Sequence, residues 1–191
     1  LFLVNILNFY DRHVSGALAE PMKNEFGLTD SQIGFLGSVF IWLYAIVGVP
    51  LGYLSDKVSR RSLLAAGIVV WSALTALNAW ALTYSHLVIA RLGVAVGEAV
   101  VAPAATSWLG DLFPAAKRAR ALAIFMLGVP IGGALSYLLS GPAAQAFGWR
   151  TAMVLAAAPA LLLVPAILLI REPERGASDA HKSLAGASIW S

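Results

Sequence analysis

The chain has 191 residues, of which 59% are apolar and 12% charged, against about 45–50% and about 25% in soluble domains. With a mean hydropathy of +0.78, so few charges cannot clothe a water-soluble globule. The pI near 9.5 does not point to nucleic acid, because the charges stand in short clusters between apolar runs and form no basic face. Cysteine is absent, which excludes a disulfide framework, a thiolate metal site and a cysteine nucleophile.

A helix of about 20 apolar residues crosses about 30 Å of hydrocarbon. Six such runs follow in chain order, at 1–20, 31–55, 62–82, 85–110, 118–141 and 149–170. They predict an all-α, polytopic membrane protein with six transmembrane helices. The first run is apolar from Leu1 and lacks a basic leader or small-residue cleavage site. It does not read as a signal peptide, and its helix is expected to begin upstream. Connections are expected at Pro21 to Asp30, Lys57 to Arg61, Thr83 to Ser85, Phe113 to Lys117 and Ala146 to Gly148. Thr29 or Asp30 can cap the second helix, which Gln32 and Ile33 open.

Pro50, Pro103, Pro130 and Pro159 lie inside runs, where proline is tolerated and often marks a bend. Glycines such as Gly67, Gly97, Gly128 and Gly132 let helices approach closely. Trp80, Trp108 and Trp149 are expected as interfacial anchors, whereas Trp42 and Trp71 lie deeper and are expected to pack. After Ile170 the chain turns charged and small, so 1–170 reads as the bundle and 171–191 as a linker. Ile189 and Trp190 read as the start of a further segment. Basic residues gather at one side of the six spans: Lys57, Arg60 and Arg61, then Lys117, Arg118 and Arg120, then Arg171, Arg175 and Lys182. Lys23 and Arg150 stand against them, so the positive-inside rule puts both ends in the cytoplasm.

Four ionisable residues, Asp11, Arg12, Arg91 and Glu98, fall inside the predicted bilayer. Each costs about 2.5–3.5 kcal/mol near a helix centre. On the first helix Asn5, Asn8, Asp11, Arg12 and Ser15 recur every three or four residues and make a polar stripe. On the fourth, Arg91 and Glu98 share a face about 10 Å apart along the axis. Counting from the outer ends puts Asp11 and Glu98 near the membrane middle and Arg91 further out. Such residues mark transport pathways, so a polar, water-accessible cavity is expected between these two helices. Asp11 and Glu98 are its candidate proton carriers, and Arg91 or Arg12 pairs with them or with an anionic substrate group. The competing reading is a structural ion-pair network. His13 shares the helix and reads as a pore-lining or helix-contact residue, or as a lesser candidate for a proton-linked role.

Catalysis finds little support. Ser107 and Asp111 lie four apart on one helix that carries no histidine, while His86 and His181 fall in connections. The sequence holds no metal cluster, no phosphate-binding glycine loop and no strand pattern, so neither an enzyme nor a cofactor is expected.

The loop Gly52-Tyr-Leu-Ser-Asp56-Lys57-Val-Ser59-Arg60-Arg61 resembles the major facilitator signature G-x-L-x-D-[RK]-x-G-[RK]-[RK], with Ser59 in place of the second glycine. It lies between the second and third spans on the basic side, as in that family. The resemblance implies a charge network that latches the two halves of the transporter. Gly52, Asp56, Arg60 and Arg61 would take part, with Asp111 as partner. A narrower set of matches is similar to the spinster branch. It comprises Asn8-Phe-Tyr-Asp11-Arg12, Ser38-Val-Phe40, Arg91 with Gly97-Glu98-Ala99, Pro103, Asp111-Leu-Phe-Pro114, Arg118-Ala-Arg120 and Pro130-Ile-Gly132. Ala95 stands where that branch usually has glycine.

The resemblance implies the N-terminal six-helix bundle of a twelve-span secondary transporter, with the substrate site against a C-terminal six-helix half. It further implies proton-linked, alternating-access export of an amphiphilic, anionic substrate such as a lysolipid or sphingosine phosphate. Asp11, Arg12, Arg91, Glu98 and Asn8 would serve as the coupling and substrate cavity. Expected partners are that substrate, protons, membrane lipids and the second half, with no nucleic acid. Cargo such as drugs, sugars or organic acids is the alternative, as is a lipid-binding membrane module that does not transport. Alanine-rich spans and short loops fit a bacterial inner membrane.

Overall fold

The computed structural model describes residues 1–178; Lys182, His181, Ile189, Trp190 and the rest of the predicted linker beyond 178 lie outside the described residues. Every regular element among those residues is helical. They are α1 (Phe2–Ala17), α2 (Ala19–Phe26), α3 (Asp30–Ser55), α4 (Arg60–Leu77), α5 (Tyr84–Glu98), α6 (Val101–Leu112), α7 (Ala115–Met126), α8 (Gly128–Phe147) and α9 (Trp149–Leu169). By length and composition, five rods suffice to cross a membrane: Asp30–Ser55, Arg60–Trp80, Tyr84–Leu112, Ala115–Phe147 and Trp149–Leu169. The sixth, α1, has 16 residues and spans about 24 Å. Its polar stripe lowers its hydropathy, yet it packs along α8 and α9 as an integral part of the six-helix bundle.

Two predicted runs are each a pair of helices. Proline has no N–H for the carbonyl four residues earlier. Pro103 therefore leaves Ala99 without its usual donor, and α5 gives way to α6 across Ala99 and Val100. Pro130 does the same for Met126, and α7 passes to α8 through Leu127. Pro50, Pro142, Pro159 and Pro165 remain inside continuous helices. The stretch expected as a connection from Pro21 is partly the helix α2. Pro21 sits in its first turn, where no intrahelical donor is needed, and Gly27 ends it at φ 62°. Thr29 caps α3 in a reciprocal box: its hydroxyl accepts from the Gln32 backbone N–H at 3.3 Å, and the Gln32 side chain accepts from the Thr29 N–H at 2.9 Å.

Two glycine crossings hold the site-bearing helices. A Cβ on Gly132 of α8 would lie 2.2 Å from the carbonyl oxygen of Ile6 on α1. A Cβ on Gly67 of α4 would lie 2.8 Å from the Gly97 oxygen on α5. The core divides along the bundle axis. One cluster gathers Phe40, Leu64, Trp71 and Trp108; the other gathers Leu18, Met22, Leu87 and Trp149. Trp108 and Trp149 are therefore packed core residues, at 0% and 5% exposure, and not the interfacial anchors that their place in the sequence predicts. Trp80 and Trp42 are exposed, and Trp71 is buried.

At the end away from the basic loops, Glu25 receives hydrogen bonds from the Trp149 indole at 2.6 Å and from Arg150. Arg150 also donates to the Ala81 carbonyl at 2.9 Å. This clamp joins α2, the α4–α5 connection and α9.

Candidate functional site

The charged residues of α1 and α5 meet inside the bundle. Asp11 and Glu98 are 1% and 0% exposed, and Arg91 is 5% exposed. Glu98, the last residue of α5, accepts from Arg12 Nε at 3.1 Å. Arg12 reaches Asn8 Oδ1 at 3.4 Å, and its guanidinium lies 4.3 Å from the Tyr44 ring centroid and 4.4 Å from that of Phe9. Asp11 accepts from the Thr75 hydroxyl of α4 at 2.8 Å.

Of the two arginines expected as pairing candidates, Arg91 takes no carboxylate. It forms no ion pair among the described residues; it donates to the Arg12 backbone carbonyl at 2.6 Å and stacks 4.1 Å from the Phe40 ring centroid. The partner of the Glu98 carboxylate is thus Arg12, because α1 turns that side chain toward α5 while Arg91 reaches past it to the backbone. Along the stripe Asn5, Asn8 and Asp11 are buried, and Arg12 and Ser15 are half-buried. Asn5 donates to the Phe125 carbonyl at 2.7 Å, beside the α7–α8 break.

Four formal charges, two of each sign, therefore balance in one buried cluster. Asn8 Nδ2, Asp11 Oδ1, Glu98 Oε1 and Arg91 Nε are buried without hydrogen-bond partners. Unsatisfied buried polar atoms are costly, and their concentration here marks a site whose hydrogen bonding is incomplete. A cavity of about 140 Å³ adjoins the cluster, walled by Arg12, Arg91, His13, Ser15 and Tyr137 and by apolar residues of α3.

A second charged site lies at the basic end. Arg60, fully buried, donates to Asp111 at 2.5 Å, to Glu172 at 2.9 Å and to Ser107 at 3.1 Å. It also donates to the Pro173 carbonyl at 3.1 Å. Glu172 sits on the start of α4, accepting from the Ser59 hydroxyl at 2.7 Å and from the backbone N–H groups of Arg60 and Arg61 at 2.9 and 3.2 Å. Burial pushes the Glu172 carboxyl up, but the bonds from Ser59 and Arg60 outweigh it and hold the pKa at about 2.

The residues of the signature loop are not all gathered there. Arg60 and Asp111 meet. Arg61 contributes its backbone, and Asp56 is exposed and 4.0 Å from Arg175. Gly52 faces Pro103 of α6. Glu172 and Arg175 were not among the candidates from sequence; the run Arg171-Glu-Pro-Glu-Arg175 directly after the last span was the available signal. Arg175 donates to the Ser55 and Val58 carbonyls, and Gly176 donates to Asp111, so this segment straps the end of the bundle.

Comparison with known proteins agrees with this architecture. The family model described as Major Facilitator Superfamily matches residues 1–190. An MFS-type efflux pump of Mycolicibacterium smegmatis is 34% identical over 171 residues, covering 89% of this chain and 40% of the pump. The sphingosine-1-phosphate transporter SPNS2 of Danio rerio is 34% identical over 179 residues, covering 92% of this chain and 36% of that protein. The chain thus spans about two fifths of the length of these relatives. Among solved structures, a bacterial homolog to human lysosomal transporter, Spinster, in an inward-facing and occupied conformation, superposes with a TM-score of 0.86 at 32% identity. That match covers 96% of this chain and 46% of the homolog. The chain is an integral membrane protein that belongs to the Major Facilitator Superfamily, as an N-terminal six-helix half resembling its spinster-like members.

Proposed function

We propose that this chain is half of a secondary transporter that exports an amphiphilic, anionic, lipid-like substrate by proton-linked alternating access. The observation that carries the reading is the balanced, incompletely satisfied charge cluster Asp11, Arg12, Arg91 and Glu98, whose two arginines wall a cavity. Ionisable groups inside a membrane bundle are costly and serve transport pathways. Burial penalises an ionised carboxyl, and taking up a proton relieves that cost. Protonation of Glu98 frees Arg12 from its ion pair, and Arg12 then has donors for an anionic headgroup. Asn8 orients Arg12 from one turn below. Gly52, Asp56, Arg60, Arg61 and Asp111, with Glu172, act as the conformational latch at the basic end. The substrate class draws support from the zebrafish relative named as a sphingosine-1-phosphate transporter.

The working unit in this reading includes a C-terminal six-helix half, with protons and membrane lipids as further partners and no enzymatic step. Residues 1–170 form the bundle and 171–191 the linker to the other half. In this reading the membrane is a bacterial inner membrane and both termini of the segment face the cytoplasm, which the basic loops support.

The test is substrate-driven proton movement in proteoliposomes holding the complete two-half protein. A lysolipid gradient moves protons in the parent, and Asp11→Asn or Glu98→Gln abolishes the movement. Lysolipid flux without proton movement would recast the protein as a facilitator. Lipid binding with no flux would make it a lipid-binding module. The efflux pump among the relatives favours a second reading, export of drug-like amphiphiles. Competition between lysolipids and hydrophilic or drug-like solutes for one uptake signal separates the two.

A further inference from the structure

His13 follows Arg12 on α1 and has no part in the charge cluster. Its Nδ1 lies 2.7 Å from the carbonyl oxygen of Phe9. A carbonyl only accepts, so Nδ1 carries the proton. In the neutral ring Nε2 is then a bare acceptor. Among the described residues Nε2 has no hydrogen-bond partner, nor is it a buried atom; His13 walls the cavity shared with Arg12 and Arg91.

The ring is held in place from two sides. Phe9 stacks on it at 6.4 Å between centroids, and Tyr137 of α8 meets it edge-on at 6.2 Å. Gly133 leaves room for it, since even an added Cβ there would stand 3.5 Å from His13 Cε1. The acceptor is therefore fixed in direction as well as in tautomer. The cavity presents guanidinium donors on one wall, the rotatable hydroxyls of Ser15 and Tyr137, and an acceptor on His13 whose direction is fixed. That combination fits a headgroup with an anionic centre and an adjacent hydroxyl or ammonium donor. An anion alone would leave the histidine acceptor unpaired.

We infer that His13 is the specificity-determining residue of this cavity: it accepts a hydrogen bond from a hydroxyl or ammonium group next to the anionic centre of the substrate, and Tyr137 positions its ring. This rests on the transporter reading above, with Arg12 and Arg91 holding the anion. A site built to receive a donor discriminates against the analogue that lacks it, because its own polar atom is then left unpaired.

The experiment uses the complete two-half protein in proteoliposomes and two probes of equal acyl length: a lysophosphatidate with its free glycerol hydroxyl, and its deoxy counterpart. The wild type takes the hydroxyl-bearing lipid about fivefold better. His13→Leu removes that preference while still carrying the deoxy lipid, and His13→Gln, whose amide oxygen can accept, keeps it. Tyr137→Phe keeps the ring edge and the preference, whereas Tyr137→Ala weakens it. An unchanged preference in His13→Leu overturns the assignment and leaves the transporter reading intact. Loss of preference in His13→Gln as well as in His13→Leu also overturns it, since packing and not acceptance would then be the cause. If the wild type carries neither lipid, the reading of the cavity as a lysolipid site falls, and this assignment with it.

Discussion

Arg12 and Glu98 form a pair inside the bundle whose disruption carries a large energetic cost. Removing one member of a buried pair strands the other, at about 3–5 kcal/mol. Arg12 keeps a side-chain exposure of 20%, which allows water to compensate in part. Arg12→Leu is expected to lower stability by about 3 kcal/mol in detergent denaturation. Arg12→Leu with Glu98→Leu should recover most of that loss, because the Glu98 carboxylate is no longer stranded and Asp11 and Arg91 still balance each other. At the strap, Glu172 titrates from an ordinary value of 4.5 down to about 2 in the folded chain. A lowered folded pKa means that the unfolded chain binds the proton more readily. The stabilisation is therefore complete above pH 4.5 and is lost as the pH falls toward 2. An acid unfolding curve of Glu172→Gln should be flatter in that window than that of the parent. The positions of the buried charges were legible from sequence, because a charge cannot hide in an apolar run. Their partners were not: a long arginine side chain reaches either a carboxylate or a backbone carbonyl, and only the relative rotation of α1 and α5 decides. Thr75 drew no notice because a hydroxyl is commonplace in such a run.

At the level of helices, close approach and proline set the geometry. Gly132→Ala would drive a methyl to 2.2 Å from the Ile6 backbone oxygen, and the backbone cannot turn aside as a side chain does. Pushing α1 from α8 should cost about 1–3 kcal/mol, and it should also displace Asn8 and Asp11. Gly34→Ala, with nothing near its Cβ position, should leave the melting temperature in detergent unchanged. The pair of measurements separates close packing from mere small-residue composition. Both glycine classes look alike in the sequence, as do the prolines that break a rod and those that do not. Pro103 and Pro130 act at breaks that neighbouring helices accommodate, whereas Pro159 stays within a continuous α9. The short α2 read as a connection because eight residues give too little periodicity, and Pro21 looks like a breaker unless its place in the first turn is known.

Across the whole molecule, orientation is the most accessible property. These 191 residues hold no cysteine, so none of them competes with a single introduced cysteine for label. Lys57→Cys should react with an impermeant maleimide only after the cells are permeabilised, and Asp30→Cys should react in intact cells. The reverse pattern would invert the proposed topology. The two end structures, Glu25 with Arg150 and Arg60 with Glu172, differ in what they join. The first ties helices remote in the chain; the second ties a short tail to the start of α4 and the end of α6. Under mechanical tension that difference sets an order of events. A handle attached beyond residue 178 loads the strap before it loads α9. The first rupture should therefore be small, releasing about 3.5 Å of contour for each residue freed from the strap. Only after it should α9 leave the bundle, as a single larger step against the clamp that Arg150 holds at the far end.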